Sequence, residues 1–199
     1  MLKVGITGGI GSGKTTVCRI FESMGVPVYY ADDRAKWLMS NDVNLISCIK
    51  SLFGEVAYRN DGTLDREHIS GIVFKNKTKL SALNAVVHPA VASDAAAWFD
   101  SQSSSAYALE EAALLIESNS YLKLDKLILV TAPLEIRIDR IVNRDSTSRE
   151  KALERIKNQM PEEEKMTYAD FIIKNDGLKM LLPQVRAIHL ELLALAGQT

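Results

Sequence analysis

Residues 8–15 read Gly8-Gly9-Ile10-Gly11-Ser12-Gly13-Lys14-Thr15. The residues before them, 3–7, form a short β-prone run, and in residues 14–24 Val17, Ile20, Phe21 and Met24 recur at helical spacing. Few folds pass from a strand through such a run directly into a helix. The glycines let the backbone wrap closely around a bound group, so that successive N–H groups and the helix N-terminus meet negative charge with no side chain in between. The run satisfies the phosphate-loop pattern Gly-x-x-x-x-Gly-Lys-Ser/Thr, in the strand-to-helix context that pattern requires. In such a loop the Lys14 ammonium bridges the β- and γ-phosphates, the Thr15 hydroxyl coordinates Mg2+, and the Thr16 hydroxyl lies near the α-phosphate. The expected nucleotide site is therefore Gly8, Gly9, Gly11, Ser12, Gly13, Lys14, Thr15 and Thr16, with ATP and Mg2+ as ligands. A glycine-rich turn without a ligand would not require the lysine and the hydroxyl that follow.

Gly25 supplies the left-handed residue that commonly ends a helix, and residues 26–30 then read as a second strand, completing a βαβ unit with a parallel sheet. Residues 33–101 carry mostly helical patterns, broken by a polar turn at Arg59-Asn60-Asp61-Gly62 and by Pro89, and are expected to form a helical insertion. β-prone runs return at 106–109, 127–131 and 171–173. In residues 134–144, Leu134, Ile138, Ile141 and Val142 line one helical face, and Arg137, Arg140 and Arg144 are assigned to positions away from it. Thr147 and Glu150 have capping-box spacing, predicting a helix to about residue 159, and a last helix is predicted over 181–195. The expected class is α/β: a P-loop NTPase-type three-layer fold, with a parallel sheet flanked by helices, a helical substrate-binding insertion and a lid over about 140–160. One domain is expected, its core made of about 1–32 and 102–199 and its insertion of about 33–101.

Twenty-four basic residues against 25 acidic ones leave a formal net charge of −1, which does not suggest a large cationic surface for nucleic acid. The opening residues lack the pattern of a signal peptide, and no run approaches a membrane span, so the expectation is a cytoplasmic protein with no obligatory protein partner. Cys18 and Cys48 have no metal-ligand spacing and make no disulfide framework; both read as buried thiols.

Further residues must decide the reaction. Asp32 follows the second strand, and in a parallel sheet the carboxyl ends of neighbouring strands share one edge, so it belongs on the rim that carries the phosphate loop. A carboxylate there accepts a hydroxyl proton and orients the acceptor oxygen; alternatively Asp32 caps the next helix, a role for which Asp33 competes. Glu111, just beyond the run 106–109, reaches Mg2+ through water or contacts the acceptor, with Glu110 and Glu117 as competitors and a solvated carboxylate as the plain alternative. Arg140 and Arg144, four residues apart, suit a lid over phosphates or an exposed polar face. His88, before Pro89, is either a substrate contact or a structural hydrogen-bonding group. Tyr29, Tyr30 and Trp37 line an acceptor pocket or pack in a core.

This arrangement resembles the dephospho-CoA kinases over nearly the whole chain. The resemblance runs through residues 5–16, Tyr30-Ala31-Asp32, Val87-His88-Pro89 and Leu114-Leu115-Ile116-Glu117. Arg140, Asn143-Arg144-Asp145, Gln159 and Asn175-Asp176-Gly177 continue it. It implies phosphorylation of the ribose 3'-hydroxyl of dephospho-CoA by ATP, the last step of coenzyme A synthesis. It also makes Asp32 the acceptor-activating base, residues 11–16 the ATP site, the helical insertion the CoA-binding region, and Arg140 and Arg144 parts of the lid. The family often has Asp-Ala-Asp where this chain has Tyr30-Ala31-Asp32, and Pro-Leu-Leu where it has Ala113-Leu114-Leu115. Two other readings are a kinase for a nucleoside, nucleotide or other small metabolite, and a guanine-nucleotide switch. Against the switch, Asn76-Lys77-Thr78-Lys79 lacks the aspartate of the guanine-recognition segment and lies within the helical stretch.

Overall fold

A computed structural model describes residues 1–197. Five parallel strands form one sheet: β1 (Leu2–Thr7), β2 (Val28–Tyr30), β3 (Tyr107–Glu111), β4 (Lys126–Thr131) and β5 (Phe171–Lys174), in the order β2-β3-β1-β4-β5. Val4, Ile6, Leu109 and the run Leu127 to Val130 are buried, as expected of central parallel strands covered on both faces. Ile6 and Tyr30 are both in register with Glu111, so the carboxyl ends of β1, β2 and β3 share one edge of the sheet.

Helices α1 (Lys14–Ser23) and α9 (Leu181–Ala196) supply Val17, Cys18, Phe21, Val185, Ile188 and Leu192 to one core with the strands. Phe21 meets Tyr107 edge to face, and the Tyr107 hydroxyl lies 2.6 Å from His189 Nδ1. Helices α6 (Leu134–Asp145) and α7 (Arg149–Lys157) share a smaller core of Ile138, Ile141 and Ala152. A short α8 (Glu162–Met166) precedes β5.

The chain divides into two compact units, one made of Met1–Tyr30 and Phe99–Thr199, the other of Ala31–Trp98. The second unit holds α2 (Ala31–Asn41), α3 (Val43–Phe53), α4 (Arg66–Val73) and most of α5 (Lys77–Ser101). Its core is Leu38, Leu45, Ile49, Ala57, Tyr58, Leu64, Ile69 and Val87. Asp42 caps α3 by accepting from the Leu45 amide, and Asp65 caps α4 by accepting from the His68 amide. Arg34 on α2 makes a two-pronged ion pair with Asp94 on α5, at 2.8 and 2.7 Å.

Several local expectations are corrected. α5 runs through Pro89 rather than ending there; Val87 is buried, and Ala90 and Val91 pack on the same core, which outweighs the lost hydrogen bond and ring clash of about 3 kcal/mol. Cys48 is exposed, just off the stripe of α3 that Leu45 and Ile49 bury, whereas Cys18 is buried and its thiol pKa is raised by that burial. Ser148, not Thr147, caps α7, accepting from the Lys151 amide at 3.3 Å. β3 extends to Glu111, which is the last residue of the strand and not a loop residue beyond it. α2 starts at Ala31, so Asp32 and Asp33 lie in its first turn and neither is the residue before it.

Lys165 is 1% exposed, and its ammonium lies 2.7 Å from Glu117 Oε1 and 3.3 Å from the Ala113 carbonyl. The pair fastens α8 to the chain that follows β3. Removing the ammonium leaves the partly exposed Glu117 carboxylate without its counter-charge, so Lys165→Ala should cost about 1 to 3 kcal/mol of stability. Denaturant unfolding measures this, and a loss below about 1 kcal/mol would mean that water or another group replaces the ammonium.

Candidate functional site

The phosphate loop follows β1 and ends where α1 begins, with Gly11 at φ 80° and Gly13 at φ 95°, both left-handed. A Cβ on Gly11 would lie 2.6 Å from the Arg137 carbonyl oxygen, and one on Gly13 would collide with the Asn175 amide. The turn therefore needs glycine at these positions for both backbone and space. Gly13→Ala should weaken binding of an ATP analogue at least about tenfold, since left-handed backbone alone costs about 1–2 kcal/mol in an L-residue. Calorimetric titration gives the ratio, and affinity within twofold of the parent would show that the loop absorbs the methyl.

Among the described residues, the amides of Gly11, Gly13 and Thr15 donate to no protein acceptor, and the buried Ser12 hydroxyl has no hydrogen-bond partner. Converging donors of this kind suit a polyanion with many acceptor oxygens, as a triphosphate is. Lys14 donates to the Gly8 carbonyl at 3.0 Å, and its ammonium lies 3.9 Å from Glu111 Oε1, with both side chains largely buried. Thr15 and Thr16 are exposed in the first turn of α1. A hydroxyl, a carboxylate and phosphate oxygens are hard oxygen donors of the kind that Mg2+ takes.

The outer side of the loop is held by side chains. Arg140 donates to the Gly11 and Ser12 carbonyls, each at 3.2 Å, and to Asn175 Oδ1 at 3.1 Å; Asn175 Nδ2 in turn donates to the Ser12 carbonyl at 2.8 Å. Arg137 Nε donates to the Ile10 carbonyl at 3.0 Å, and Gln159 Oε1 accepts from the Ile10 amide at 2.7 Å. Arg137, expected on the polar side of α6, is buried. Its position on the helix, one turn before Ile141 and beside Ile138, borders the apolar stripe, which is the signal sequence reading passed over. Burial lowers the pKa of its guanidinium, opposed by Glu162 and Glu163; burial raises that of the Glu162 carboxyl, opposed by Arg137.

The first unit thus brings together Gly8 to Thr16, Glu111 and Arg140 of the expected site residues. Arg144 stands apart from them: exposed, it pairs with Asp145 at 2.7 and 3.0 Å, and Arg155 donates to the same carboxylate at 2.6 Å. Asp32 and His88 lie in the second unit, both exposed, on α2 and α5 respectively. Glu117 is engaged by Lys165, and Glu110, whose pKa is raised by burial, lies on β3 beside Glu111. Among the described residues no group of three or more His, Cys, Asp or Glu is arranged to hold a metal by itself, and no helix is long and apolar enough to cross a membrane.

Residues 2–180 match the family model described as dephospho-CoA kinase. The chain is 39% identical over 197 residues to the dephospho-CoA kinase of Bacteroides fragilis strain YCH46, spanning 99% of this chain and 94% of that one. Among solved structures it is similar to TT1252 from Thermus thermophilus, with TM-score 0.84 and 36% identity over 96% of this chain and 97% of that one. It is also similar to the dephospho-CoA kinase from Campylobacter jejuni, with TM-score 0.64 and 27% identity over 96% of each chain.

Proposed function

The chain belongs to the dephospho-CoA kinase family, and on that premise we propose that it transfers the γ-phosphate of ATP to the ribose 3'-hydroxyl of dephospho-CoA, giving CoA and ADP. The observation that carries the chemistry is the pairing of an anion cradle with a buried ion pair: the amides of Gly11, Gly13 and Thr15 lie beside Lys14, whose ammonium is 3.9 Å from Glu111. In this reading Lys14 neutralises charge on the transferring phosphoryl group. Thr15, with Glu111 nearby, would hold Mg2+, and the ion would offset charge on the β- and γ-phosphates.

Asp32 is the base that accepts the proton of the 3'-hydroxyl. Supporting this is its place in the chain, just past β2, whose Tyr30 is in register with Glu111 at the carboxyl edge of the sheet. The helical unit Ala31–Trp98 supplies the acceptor site, with His88 as a contact. Arg140 and Arg144 belong to a lid over residues 140–160. Arg140 already grips the loop carbonyls, while the Arg144 side chain must leave Asp145 to reach a phosphate. The same proposal places the protein in the cytoplasm, acting on a small molecule without nucleic acid, membrane or an obligatory protein partner.

A coupled ADP-release assay with dephospho-CoA, nucleoside monophosphates and shikimate tests the acceptor. Stimulation by dephospho-CoA alone is the expected result, and its absence rejects the acceptor assignment. GTP binding as tight as ATP binding would instead favour a nucleotide switch.

A further inference from the structure

Ile10 of the phosphate loop is held by side chains through both its N–H and its carbonyl. Its N–H donates to Gln159 Oε1 at 2.7 Å, and its carbonyl accepts from Arg137 Nε at 3.0 Å. Its side chain packs with Val142, Leu153 and Ile156 around the core of α6 and α7. Arg137 is 7% exposed, and its guanidinium fills the space a side chain at Gly9 would need. Its other end lies 3.6 Å from Glu162 Oε2, a separation for electrostatic attraction rather than a hydrogen bond. A guanidinium is costly to bury unless its charge is offset and its donors are used. Here the charge is offset by Glu162 on α8, and a donor is directed at a carbonyl of the loop.

We propose that Arg137 is a positioning residue for the nucleotide: with Glu162 as counter-ion and Gln159 on the opposite side, it fixes Ile10 so that the amides beyond it converge on the triphosphate. Arg137 itself does not touch the nucleotide. A loop released at Ile10 must be ordered again each time the ligand binds, and that cost falls on nucleotide affinity. Chemistry at saturating ATP and affinity for the acceptor are untouched. The inference rests on the proposed function only for the identity of the anion.

Three variants separate positioning from mere support of the fold. Arg137→Met keeps length and apolar contact but removes every donor; Arg137→Lys keeps a charge and a donor; Gln159→Ala loosens the other side of Ile10 without leaving a buried charge. Titration with a non-hydrolysable ATP analogue, without acceptor, should give a Kd raised about tenfold for Arg137→Met, about fivefold for Gln159→Ala and less than about threefold for Arg137→Lys. KM for ATP should follow these ratios, with kcat at saturating ATP and KM for dephospho-CoA within about twofold of the parent. A folded Arg137→Met protein with unchanged Kd, or with kcat lost while Kd holds, overturns the proposal. Should Arg137→Met fail to fold because Glu162 is stranded, Gln159→Ala decides alone, and an unchanged Kd there has the same effect. Because the titration contains no acceptor, failure of the parent to phosphorylate dephospho-CoA would count against the proposed function and leave these ratios readable.

Discussion

Lys14→Ala should leave a folded protein whose turnover falls at least about a hundredfold to a thousandfold, the range seen when one preorganised group that stabilises transition-state charge is removed. The ammonium is held by the Gly8 carbonyl at 3.0 Å and faces Glu111 at 3.9 Å, so its position is set before any ligand arrives. Such a charge acts most strongly on the transferring phosphoryl group, where negative charge rearranges during the reaction, and less on the bound ground state. The loss is therefore expected in kcat more than in analogue affinity. ADP release at saturating ATP and dephospho-CoA measures it. Turnover within tenfold of the parent would remove Lys14 from the chemical step.

Asp32→Asn is the second large effect. Asparagine keeps the size and exposure of the side chain but cannot take a proton from an alcohol, so the chemical step should slow about 10²- to 10⁴-fold. As a base for the acceptor hydroxyl Asp32 acts in the chemical step, so binding of an ATP analogue should stay within about twofold of the parent. The two measurements together identify a base: parental turnover would eliminate the role, and equal losses of affinity and rate would make Asp32 a binding group. Neighbouring Asp33 serves as a control, since its carboxylate already pairs with Lys36 at 2.6 Å on the exposed face of α2. Asp33→Asn should change neither quantity beyond about twofold.

The phosphate loop was legible in the sequence because its function is carried by the backbone. Left-handed turns at Gly11 and Gly13 demand glycine, and a strand-to-helix passage is written in short-range periodicity. The parallel sheet was legible for a similar reason, since β1, α1 and β2 follow one another as a βαβ unit and β4 carries the apolar run Leu127 to Val130. Errors fell where tertiary contacts override local preference. Pro89 sits inside α5 because the flanking residues pack on the core of their unit; the cap of α7, Ser148 rather than Thr147, differs by one residue within a local signal.

What the sequence determined by itself was the strand, the glycine loop, Lys14 with its two threonines, and the helix behind them: elements whose signals lie within a few residues of each other. Only the tertiary structure decided which distant side chains hold that loop. Arg137 and Gln159 reach Ile10, and Arg140 and Asn175 reach Ser12; elsewhere Lys165 reaches Glu117 to fasten α8 to the chain after β3. A charged or amide side chain reads as solvent-facing until the fold supplies a buried partner that offsets its desolvation, and that partner stands elsewhere in the chain.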